Sequence, residues 1–149
     1  MGLKERLKSD LTEAIRSRDE VRAGTIRMAL TSITNEEVSG KEARVLSDAE
    51  IITVLSREAK KRREAAAAYE SAGSKERADR EKEEGKVIAD YLPTQLTDAE
   101  LQEMITAAIK ETGASGPSGM GQVMKVLSPK IAGRADGAKV SAAVKAALS

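Results

Sequence analysis

The sequence predicts an all-α protein built from two small helical units, and three observations carry that prediction. Apolar residues recur at helical spacing, as in Leu3, Leu7, Leu11 and Ile15, with charges between them. No segment alternates polar and apolar residues for long enough to be a strand. Two stretches, "SDAE" at 47–50 and "TDAE" at 97–100, have the spacing of a helix-opening capping box.

The stripe from Leu3 to Ile15 predicts an amphipathic helix of about four turns. A second helix is predicted from Asp19 to Val38, turning Val21, Ile26, Leu30 and Ile33 toward the core. Gly24 inside it costs about 1 kcal/mol relative to alanine, and is read as a close approach of another helix. "SGKEAR" breaks the pattern before Ser47 opens a long helix reaching Ser71, which Gly73 ends in the left-handed conformation that glycine favours. Ser74 begins a fourth helix, charged until Val87, Ile88, Tyr91 and Leu92, and Leu92-Pro93 stops it. Tyr91 is expected between the two units, with its hydroxyl on water or a backbone partner. Beyond "LPTQ", Thr97 opens a helix carrying Leu101, Met104, Ile105, Ala108 and Ile109. "ETGASGPSG" is a flexible break, followed by one stripe of Val123, Leu127 and Ile131 and another of Val140, Val144 and Leu148. The expected organisation is a four-helix unit over 1–92 and a three-helix unit over 96–149, joined by a hinge at "LPTQ".

Composition narrows the chemistry. The chain of 149 residues is 33% charged and 40% hydrophobic, with Phe, Trp, Cys and His all absent. Their absence removes thiol nucleophiles, disulfides, thiolate or imidazole metal ligands and histidine general bases. No metal, no cofactor and no catalytic residue are expected. No apolar run approaches the ~20 residues of a membrane helix, so a cytoplasmic protein without membrane contact is expected. The net charge of +1 hides an asymmetry: Lys125, Lys130, Arg134, Lys139 and Lys145 face only Asp136 in residues 113–149.

The glycines of "GMGQVMKVLSPKIAGRADGAKV" raise the question of a phosphate loop. A dinucleotide loop needs a preceding strand and a third glycine where Met124 stands, and a Walker loop needs Gly-Lys-Ser/Thr, which is absent. Punctuation between two helices fits better: Gly133 ends one, and Asp136 caps the next with Gly137 in its first position.

The same stretch, "MGQVMKVLSPKIAGRADGAKVSAAVKAAL" at 120–148, resembles the carboxy-terminal block of the GatB/YqeY family. "RMALTSITNEEV" at 27–38 and "YLPTQLTDAEL" at 91–101 resemble the other two blocks in order and spacing, so the likeness spans essentially the whole chain. It departs at "SAGSKERADREKE", 71–83, where the family usually has Gly-Arg followed shortly by Asp-Leu. The resemblance implies a helical region like the one following the catalytic core of the B subunit in glutamine-dependent tRNA amidotransferases, where it contacts tRNA. The catalytic core of that subunit has no counterpart in this chain. A label of carbon–nitrogen ligase with glutamine as amido donor would therefore be inherited only, and a non-enzymatic accessory protein is expected.

Lys125, Lys130, Arg134, Lys139 and Lys145 are accordingly the first candidates for RNA contact, with solvated helix faces as the competing account. Arg57, Lys60, Lys61 and Arg63, in "REAKKRRE", form a secondary basic face more readily explained as a solvated side of a long helix. The carboxylates of "DREKEEG", Glu81 and Glu84 among them, are read as a solvated, charge-paired helix. Expected partners are tRNA or, in a competing adaptor reading, an aminoacyl-tRNA synthetase or amidotransferase with no direct RNA contact.

Overall fold

The computed structural model describes residues 2–149. Within them lie seven α-helices and one short 3-10 turn, and no strand among the described residues. By internal packing the chain divides into two compact units, Met1–Leu92 and Pro93–Ser149.

In the first unit, α1 spans Leu3–Arg16 and α2 spans Glu20–Glu37. The four-residue spacing of α1 exceeds a helical turn, so the stripe drifts by about 40° per step. Leu7 is therefore buried, but Ile15 is 50% exposed and Ala14 takes its place in the interior. Helix α2 opens with the Asp19 carboxylate accepting from the Arg22 backbone N–H, and buries Ile26 and Ile33. Gly24 does not mark a close helix approach: a methyl group there would meet nothing within 4 Å. Gly24→Ala is thus expected to stabilise the protein by about 1 kcal/mol, seen as a higher urea midpoint at unchanged m-value.

Helix α3, Asp48–Ser71, begins with the predicted capping box made in both directions. Its other end is a Schellman turn: Gly73 at φ 75° donates to the Glu70 carbonyl, and Ser74 N–H donates to Tyr69. Helix α4, Lys75–Ala89, stops earlier than Leu92 because Tyr91 and Leu92 already bond three residues back, tightening the chain before Pro93. The core joins Leu7, Ile26, Ile33, Ile51, Leu55 and Ile88.

In the second unit, α5 spans Asp98–Thr112, α6 Met120–Ile131 and α7 Gly137–Ala147. Thr97 accepts from the Glu100 N–H, but the return bond of a full capping box is not made. Every residue of the two stripes, Val123, Leu127, Ile131, Val140, Val144 and Leu148, is buried against Leu101, Ile105 and Ala108. Gly119 is a packing glycine, since a Cβ there would lie 2.6 Å from that of Ala114. Asp136 accepts from Ala138 N–H and caps α7 as predicted. The segment read from the sequence as a hinge, "LPTQ" at 92–95, and Leu96 after it are hydrogen-bonded to the α6–α7 turn: Leu96 N–H donates to Arg134 O at 2.9 Å, and Gln95 Nε2 to Gly133 O at 2.8 Å.

Candidate nucleic-acid interface

The five basic residues of the second unit do not share one environment. Lys125 on α6 and Lys145 on α7 are exposed and without side-chain partners among the described residues. Lys130 lies 3.7 Å from Glu111, and Lys139 is paired with Asp98. Both partners belong to α5, which carries Asp98, Glu100, Glu103 and Glu111 against Lys110 alone. Arg134 sits in the α6–α7 turn and donates from Nε to the Thr94 carbonyl at 3.0 Å. At 100° per residue, Lys125 and Lys130 are about 140° apart around α6, and Lys139 and Lys145 about 120° apart around α7. The positive charge therefore spreads over the α6–α7 surface instead of forming one ridge. Counting residues 113–149 alone overlooked the acids of α5, which reach across to two of the five.

Two of the four residues in the secondary basic face of α3, Arg57 and Lys61, are engaged in ion pairs within the first unit. Arg57 lies 3.7 Å from Glu36, Lys61 3.2 Å from Glu58, and Lys60 is engaged as well. Arg63 alone of the four is exposed without a partner among the described residues. The residue of this run that the sequence reading passed over is Arg62. Its guanidinium, with the side chain 17% exposed, lies 3.1 Å from Glu81, 3.2 Å from Glu84 and 3.6 Å from Glu58. Glu81 and Glu84 are thus not a solvated surface, since α4 turns them onto a cation that α3 supplies, leaving them 16% and 14% exposed. Burial works against the charge of Glu58. Hydrogen bonds from Ser32 and Lys61, with the nearby Arg62, outweigh it and hold its carboxyl below the usual range.

A second ionic group closes the first unit around Tyr91. This side chain is 4% exposed within the core of residues 1–92, and its hydroxyl donates to Asp10 at 2.5 Å, neither to water nor to a backbone group. Arg22 donates to the same hydroxyl at 3.3 Å, and the Arg6 guanidinium lies 4.7 Å above the ring. Burial, then the hydrogen bond to Asp10, push the phenol up to about 12 against the opposing pull of Arg22 and Arg6.

The loop between α2 and α3 is held from below. Glu37 accepts from Lys4 at 2.6 Å and from Leu46 N–H at 3.3 Å, and the Lys4 bond holds its carboxyl below the usual range. The loop leaves Val38 58% and Val45 86% exposed. Among the described residues there is no group of three or more acidic residues placed to hold a metal ion, and no helix long and apolar enough to cross a membrane.

The fold and these sites together define a small all-helical protein in which ionic groups around Arg62 and Tyr91 join one helix to another. It belongs to the YqeY-like protein family, whose model matches residues 4–148. No curated protein matches the chain.

Proposed function

We propose that this YqeY-like protein is a non-catalytic accessory protein that associates with tRNA through the α6–α7 surface of its second unit. The observation that carries the reading is the basic bias of α6, α7 and their turn, where Lys125 and Lys145 are exposed without side-chain partners among the described residues and α5 carboxylates reach only Lys130 and Lys139. The Lys130–Glu111 and Lys139–Asp98 pairs are solvent-exposed. Such pairs contribute only about 0–1 kcal/mol, so phosphates can replace the carboxylates at little cost. Tyr69 and Tyr91, the only aromatic residues, both lie in the first unit, so the second offers no stacking platform for unpaired bases. Recognition would rest on phosphates and on the shape of folded RNA. Any amidotransferase association would be as an accessory, the ligase chemistry residing in another protein.

The test is a fluorescence-anisotropy titration of labelled total tRNA at low and near-physiological salt. Saturable binding is expected, weakening with salt at a log–log slope of about −3 to −4 for about four phosphates. A slope of about −2 would confine the contact to Lys125 and Lys145. Absence of binding at low salt would refute the reading. One observation favours the adaptor alternative, a docking partner such as a synthetase or amidotransferase: the exposure of Val38 and Val45 on a loop anchored by Glu37. Capture of such a partner that survives nuclease treatment would select it.

A further inference from the structure

We infer that Arg134 is the pre-oriented phosphate contact of the second unit, its guanidinium held in place by the Thr94 carbonyl. The inference rests on the RNA-binding reading above and names which residue of that surface has a fixed geometry.

Arg134 differs from the four lysines in how it is held. Its Nε donates to Thr94 O at 3.0 Å, and its own carbonyl accepts Leu96 N–H at 2.9 Å. Gln95 Nε2 bridges Gly133 O and Pro93 O, each at 2.8 Å. Residues 93–96 and 133–134 therefore form a short strap bonded from both sides, and Leu96 packs on the core of the unit. A guanidinium has five N–H donors in one plane. With Nε fixed, that plane is set by the backbone, and neither terminal nitrogen has a partner among the described residues. Two parallel N–H groups at fixed orientation match two oxygens of a phosphodiester, whereas a lysine supplies one mobile point charge. Asp136, two residues along the chain, directs Oδ1 to the Ala138 N–H.

Because the strap orients the fork, a phosphate seated on the fork must in turn steady the strap. The experiment uses the full chain with labelled total tRNA, comparing wild type, Arg134→Lys and Gln95→Ala, and follows amide exchange at Leu96 with and without RNA. Arg134→Lys keeps the charge but loses the fork, and is expected to weaken binding about tenfold. Gln95→Ala loosens the strap without altering charge, so it should speed Leu96 exchange and weaken binding less. In wild type, RNA should slow exchange at Leu96. RNA binding by Arg134→Lys equal to wild type would overturn the inference and leave the proposed function standing. So would faster Leu96 exchange on RNA addition, or equal losses in both variants, which would reduce Arg134 to a part of the strap. If wild type binds no tRNA even at low salt, the inference and the proposed function fall together.

Discussion

Leu127→Ala is expected to unfold the second unit while the first keeps its structure. Leu127 is fully buried at the centre of a core made only of Leu, Ile, Val, Ala and Met side chains. Truncating it removes about 2–5 kcal/mol, the larger values arising where neighbours cannot close the cavity. A unit the size of Pro93–Ser149 is stable by only about 3–8 kcal/mol, so one such cavity consumes most of its margin. The distribution of tyrosine makes the outcome readable in the intact chain. Tyr69 and Tyr91 both lie in Met1–Leu92, so the near-ultraviolet tyrosine signal reports that unit, while far-ultraviolet circular dichroism reports every helix. The variant should lose about a third of its helical signal, the share of α5, α6 and α7, with the tyrosine signal retained. An unchanged melt would mean that Leu127 is not central to the core. Loss of both signals in one transition would mean that the two units do not unfold separately.

The features legible in the sequence are those that depend on near neighbours along the chain. Stripes at helical spacing named the buried faces of α5, α6 and α7, because a face is set by angle around one helix axis. The caps at Ser47, Thr97 and Asp136 were legible because each is a bond across two or three residues. Three kinds of feature were not. The turn between α1 and α2 places Arg18 at φ 59°, the conformation for which glycine serves at 73, so no residue type announced it. Gly24 looked like a packing glycine because sequence shows that a side chain is missing but not what faces the gap. Pairing between helices was hidden most deeply. Arg62 meets Glu81 and Glu84 across 19 and 22 residues, and Arg134 meets Thr94 across 40. Such meetings depend on the register of two packed helices, or of a strap on a turn, and a charge run carries no trace of which member points inward.

That hidden register is what makes Arg62→Met the other variant of large effect. The substitution keeps most of the stem that packs along α3 and removes the charge, leaving Glu58, Glu81 and Glu84 converging without it. Breaking a buried ionic group by removing one partner costs about 3–5 kcal/mol, whereas an exposed pair would lose at most about 1 kcal/mol. A urea titration near neutral pH distinguishes the two. The pH dependence supplies an independent sign. In the wild type, Glu58 has its carboxyl held below the usual carboxylate range, so the stability it contributes is present above the unfolded value and is lost as pH falls through the lower folded value. In the variant that contribution is weakened because Glu58 has lost Arg62 as a partner, so the stability gap between wild type and variant should narrow as pH falls through the range in which Glu58 takes up its proton. Adding Glu81→Gln and Glu84→Gln to Arg62→Met should recover much of the loss at neutral pH, because Glu84 without Arg62 keeps only the exposed Arg80 as a partner, and an amide is far less costly to bury without a cation than a carboxylate. A small gap that does not change with pH would place Arg62 among the solvated charges of α3, as the sequence alone suggested for its neighbours. A large gap that closes in acid would mean that one cation inside a run of surface charges joins α3 to α4.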